Sequence, residues 1–182
     1  MEQNKHKLIL NSMHLETNLS KIKQIAAKRE DENFRFRAFL KNRDGKEIDS
    51  IVHRLHAKIV PLIDCTSCRN CCYCMKPKMS MEDITRLAQL ENISSEEYID
   101  DYCEKEFGDI YLADMPCRYI EENECRIYED RPIQCKKFPY TNQTGFTSRL
   151  LGMISFYEVC PIVFNLMEEL KDETRFYRKR NF

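Results

Sequence analysis

Residues 65–74 read CTSCRNCCYC, five cysteines in ten positions with Cys71 and Cys72 adjacent. Two residues between cysteines let the backbone turn so that both sulfurs reach one ion at about 2.3 Å. Cys65-x2-Cys68-x2-Cys71 is two such knuckles sharing a cysteine, and Cys72 follows at once. Neighbouring side chains lie about 100° apart around a helix and on opposite faces of a strand. Cys71 and Cys72 are therefore poorly placed to grip a single tetrahedral ion, and the pattern points to two metals or to a polynuclear cluster with spread ligands.

A disulfide knot is the competing explanation, and it depends on compartment. The amino terminus holds only the short apolar run Leu8-Ile9-Leu10, far below a signal-peptide core or a membrane span. Export is not expected. A cytoplasmic location, where thiols stay reduced or bind metal, is. The 182 residues, 42% of them hydrophobic, suffice for one domain with appendages. Twenty-nine Lys and Arg against 30 Asp and Glu leave no field of one sign, so neither nucleic acid nor a membrane surface is an expected partner.

Outward from the cluster, the chain reads as mainly α with a small β-hairpin, an irregular cysteine-rich domain stabilised by metal. Residues 1–60 carry no cysteine and form an N-terminal helical segment. One stripe is Leu15, Leu19, Ile22 and Ala26. A second group is Phe34, Phe36, Phe39 and Leu40, broken by Asp44-Gly45, and a third is Ile48, Ile51, Val52, Leu55 and Ile59. Residues 61–164 hold the cysteine cluster. Within them Ser80 to Asp83 precedes one short helix and Ser94-Ser95-Glu96-Glu97 is a capping box for another. Residues 116–128 suggest a hairpin around Glu121-Glu122-Asn123-Glu124, without the favoured glycine. The stretch punctuated by Gly145 and Gly152 reads as extended. From Pro161 a closing helix begins, and residues 165–182 pack on the cysteine domain. The basic tail Arg175–Arg180 reads as a solvated helix end.

Further ligands must come from Cys117, Cys125, Cys135 and Cys160, which are widely spaced. A zinc ribbon would repeat its knuckle, and a zinc deaminase needs H-x-E with P-C-x-x-C; the chain has neither. In Asp130-Arg131-Pro132-Ile133-Gln134-Cys135, proline suits a first helical turn and Asp130 can help cap it. The helix end and the cations Arg131, Lys136 and Lys137 would favour the Cys135 thiolate. His53 and His56 share a helix flank and are weaker candidates for zinc. Cys103 reads as a small apolar side chain on a short helix, and Cys74 is a surplus thiol.

Taken together, C65-x2-C68-x2-C71-C72, then PCRYIEENECRIYEDRPIQCKKFPY at 116–140, then FYEVCP at 156–161 resemble the zinc- or iron-chelating cysteine-cluster family, the YkgJ-like or CxxCxxCC type. The resemblance implies eight metal ligands: Cys65, Cys68, Cys71, Cys72, Cys117, Cys125, Cys135 and Cys160. Arg69-Asn70 stands where that family frequently has glycine, and Cys74 is extra. Members are described as metal- or iron–sulfur-binding and often labelled oxidoreductase-like without a known reaction. A related cysteine pattern occurs in flagellin lysine methylases.

Two functional readings stay open. In the first, the thiolates hold an iron–sulfur cluster, or zinc, and support redox or protein-modification chemistry with a redox or protein partner. In the second, zinc is structural and the N-terminal helices present a protein-binding surface. An enzyme with Arg131, Tyr128 or Tyr140 beside the metal is less favoured, because eight thiolates can close two sites and a catalytic metal keeps one position open.

Overall fold

The computed structural model describes residues 14–177. The Leu8–Leu10 run and the end of the basic tail lie outside them. The described residues form two compact units, one from residues up to Asp64 together with Pro139 onward, the other Cys65–Phe138.

The first unit opens with α1 (Leu19–Lys28), α2 (Glu30–Lys41) and α3 (Gly45–Ile59). Each boundary has a local cause. Asn18 accepts from the Lys21 amide at 3.0 Å, and Asp44 accepts from the amides of Lys46 and Glu47 at 2.7 and 3.1 Å, so Asp44-Gly45 is the start of a helix as well as the break before it. The three apolar groups supply the buried faces: Ile22, Phe36, Leu40, Ile48, Val52 and Leu55 are all fully or almost fully buried. A 3₁₀ turn, Val60–Leu62, ends this run at Pro61.

The second unit begins with two short helical turns, α4 (Cys65–Cys68) and α5 (Asn70–Cys74). Two longer helices follow, α6 (Met81–Glu91) and α7 (Ser95–Tyr102), each opened by a complete capping box, Ser80 with Asp83 and Ser94 with Glu97. Two antiparallel hairpins come next. The first, β1 (Cys103–Glu106) with β2 (Asp109–Leu112), was not expected, because Phe107-Gly108 is a weak turn signal between charged residues. Cys103 therefore opens a strand instead of closing a helix. The second, β3 (Ile120–Glu121) with β4 (Glu124–Cys125), is the hairpin the sequence suggests. Glu122 and Asn123 both adopt positive φ, 46° and 60°, the backbone of a type I′ turn without its glycine. A small apolar core of Ile84, Leu87, Ala88, Tyr98, Leu112 and Tyr119 holds α6, α7 and the hairpins together, with Cys103, Cys117 and Cys125 packed at its edge. The short helix α8 (Ile133–Lys137) closes the unit.

Past Pro139 the chain completes the first unit. Residues 145–152 are helical, not extended: a 3₁₀ turn at Phe146–Ser148 leads into α9 (Leu150–Tyr157), and α10 (Pro161–Glu173) follows. The physical reason is long-range. Asp49 on α3 accepts from the amides of Gly145 and Phe146 at 2.7 and 2.8 Å, capping a turn that no neighbouring residue caps. α10 packs on α3 and α9, and Asn165 exchanges hydrogen bonds with the backbone of Glu16 at 2.9 and 2.8 Å.

Candidate metal centre

The cysteines of the opening cluster sit on α4 and α5, joined by Arg69 at φ 44°. This left-handed residue lets one helical turn stop and another start at once. None of the ten cysteines is in a disulfide. Cys74 Sγ donates to the Asn70 carbonyl at 2.9 Å, so it turns back on its own helix.

Cys117 reaches the cluster through the backbone: its amide donates to the Cys72 carbonyl at 2.8 Å, across 45 residues of chain. Cys125 ends the second hairpin, and Cys135 lies on α8. These four thiols share one half-buried region and act on one another. Burial pushes the Cys135 thiol up to about 12, the negative forms of Cys117, Cys72 and Cys125 add to the rise, and Arg131 opposes it. Burial also raises Cys117, with Cys72, Cys125 and Asp114 contributing, and raises Cys125 in company with Cys72. Cys72 runs the other way. A hydrogen bond from the adjacent Cys71 thiol, then Arg131 and Arg69, outweigh burial and bring it down to about 7. The expectation that the helix end and nearby cations would favour the Cys135 thiolate is thus reversed, since desolvation disfavours the charged form more than those cations favour it.

The capping of α8 also differs from expectation. Pro132 occupies the N-cap and no side chain of its own segment caps the helix. The Ile133 amide is taken instead by Asp83 Oδ1, at 3.2 Å from α6. Arg131 is held beside these thiols by its neighbour Tyr128: its Nε donates to the Tyr128 carbonyl at 2.6 Å and its guanidinium lies 3.5 Å over the Tyr128 ring.

Cys65, Cys68 and Cys71 lie on the same two turns as Cys72. Cys160 belongs to the first unit, buried at the start of α10. His53 and His56 are also there. His56 Nδ1 is 2.7 Å from Thr141 Oγ1, and burial followed by the charge of His53 lowers its pKa. His53 Nε2 is buried without a hydrogen-bond partner among the described residues. Tyr140, in that unit too, has its ring 6.0 Å from that of Phe156 and tilted by 39° to it. Cys103 is pushed up to about 11 by burial, Arg118 opposing, which keeps it a neutral thiol in the small core.

Among the described residues, no three His, Cys, Asp or Glu side chains stand grouped at ion-holding distances. The donor chemistry nonetheless fits a thiophilic metal. Several thiolates in one half-buried region destabilise each other, and a bound cation both deprotonates its thiols and removes that repulsion. Cys72, Cys117, Cys125 and Cys135 are the residues that would hold it in the second unit.

Comparison with known proteins agrees on this segment. No curated protein and no solved structure matches the chain. The family model CxxCxxCC, described as "Putative zinc- or iron-chelating domain", matches residues 64–153, a stretch that opens one residue before Cys65 and takes in Cys117, Cys125 and Cys135. That stretch of the chain belongs to the CxxCxxCC family.

Proposed function

We propose that the 65–138 unit carries an all-thiolate metal centre, with Cys72, Cys117, Cys125 and Cys135 as one ligand set and Cys65, Cys68 and Cys71 as donors for further metal. The observation that carries this reading is the backbone link between three cysteine-bearing segments: the Cys117 amide donates to the Cys72 carbonyl at 2.8 Å, the Ile120 amide donates to the Cys117 carbonyl at 3.0 Å, and Ile120 pairs with Cys125 across the second hairpin.

An iron–sulfur cluster is the reading favoured by adjacent Cys71 and Cys72 on one helical turn, because a cluster accepts ligands that diverge where a mononuclear ion does not. Such a centre serves electron transfer or a modification reaction coupled to it. The second reading, structural zinc, is favoured by the small core of this unit, which a bound ion would reinforce. Protein purified without oxygen separates them: brown colour with stoichiometric iron and sulfide supports the cluster, and colourless protein with bound zinc supports the structural site. Protein that retains neither metal, and takes up neither on reconstitution, overturns both.

A further inference from the structure

Asp83 belongs to no cysteine motif and no spacing rule singles it out, yet it is only 2% exposed and its carboxylate ties the start of α6 to the segment that leads to Cys135. Its Oδ2 accepts from Ser80 Oγ at 2.8 Å and from the Ser80 amide at 3.3 Å, which fixes the carboxylate in the capping box of α6. The other oxygen, Oδ1, accepts from Arg86 Nη2 at 2.6 Å and from the Ile133 amide at 3.2 Å. Arg86 in turn donates to the Asp130 carbonyl from Nε and Nη2 at 3.4 and 3.3 Å, and to the Arg131 carbonyl from Nη2 at 3.2 Å.

The pair therefore takes hold of the segment 130–133 at three residues, Asp130, Arg131 and Ile133. Arg86 binds two of its carbonyls, and Asp83 binds the first amide of the helix that carries Cys135 two residues later. That helix has no side-chain cap of its own. Its five residues are too few to stand without help. We propose that Asp83 and Arg86 are positioning residues for the metal centre: they hold the Cys135 arm where its sulfur can join Cys72, Cys117 and Cys125, and so act on the metal through Cys135 alone.

This inference rests on the thiolate-centre reading, and one experiment tests the two separately. Metal-free full-length protein is titrated with Co(II) without oxygen, and the thiolate-to-cobalt charge-transfer absorption and the affinity are measured for wild type, C135S, D83A, D83N and D83A/C135S. The expected result is that D83A copies C135S: the charge-transfer intensity per cobalt falls by about a quarter, as one of four thiolates drops out, and affinity falls about 10–100-fold. D83N, which keeps an oxygen for the Ile133 amide, recovers most of both. D83A/C135S is no weaker than C135S. A purely structural role would instead weaken C135S further and leave the band per bound cobalt intact. As a variant that leaves α6 untouched, Ile133→Pro removes the donated amide together with the Ile133 side chain, at a helix position that tolerates proline, and is expected to match D83A. Wild-type cobalt spectra and affinity in D83A and I133P would overturn the inference and leave the centre standing. A wild-type chain that develops no charge-transfer band overturns both.

Discussion

Cys72 and Cys135 are chemically alike and differ by surroundings alone. The Cys71 hydrogen bond brings Cys72 down to about 7, whereas burial pushes Cys135 up to about 12. In metal-free protein, ultraviolet thiolate absorbance is expected to show one thiol titrating near neutrality, lost in C72S. The hydrogen bond from Cys71 is the leading cause, so C71A is expected to raise that titration more than R131Q does. Cys103, by contrast, faces the apolar core, and C103A is expected to leave metal content at the wild-type level by elemental analysis. The CxxCxxCC spacing marked the first of these residues from sequence alone. The protonation state of Cys135 was not legible, because the burial that sets it comes from residues distant in the chain.

Local rules explain most of the elements. Both capping boxes form where Ser-x-x-Asp and Ser-x-x-Glu announce them, and the apolar stripes of α1 to α3 face inward apart from Phe34, which is exposed. The second hairpin was legible despite a turn of two non-glycine residues in the left-handed region. That backbone costs about 1–2 kcal/mol per ordinary residue, less for Asn. Replacing Glu122-Asn123 by Asn-Gly is expected to stabilise the Cys65–Phe138 unit by about 0.5–1 kcal/mol, read as a higher urea midpoint at unchanged slope. The first hairpin and the helical turn at Phe146 escaped the sequence for opposite reasons. One has charged strands with little alternation, and the other owes its shape to Asp49, nearly a hundred residues away.

On the scale of the whole molecule, the first unit depends on a buried charge network between its early helices and α10. Lys171, with no exposed surface, donates to Glu32 at 2.8 Å, Asn33 at 2.7 Å and Glu168 at 2.8 Å, which uses all three of its hydrogens. Glu168 also accepts from Tyr157 Oη at 2.7 Å and pairs with Arg29. Removing one partner leaves buried charge uncompensated, so K171M is expected to cost about 3–5 kcal/mol in chemical denaturation. The network also sets a pH dependence. Burial pushes the Glu168 carboxyl up, but Lys171, Tyr157 and Arg29 outweigh it and hold it below the ordinary 4.5. Between its folded value and 4.5 the unfolded chain binds the proton more readily. The stabilisation is therefore full above about 4.5 and is lost as acid brings the pH down through the folded value. Urea midpoints measured from neutral pH downward are expected to fall more steeply in wild type than in E168Q.

The sequence by itself determined what can be settled within a few residues: the paired knuckles of Cys65 to Cys72, the helix starts at Ser80 and Ser94, and the cysteine spacing that the family model matches. Only the tertiary structure decided that Cys117 hydrogen-bonds to Cys72, that Asp83 supplies the missing cap of the Cys135 helix, and that residues after Pro139 complete the unit begun before Asp64. Capping and helical spacing act between residues three or four apart and so leave a mark in the sequence. The bonds that assemble the thiols join residues about fifty apart, where any polar side chain of suitable reach meets the same need.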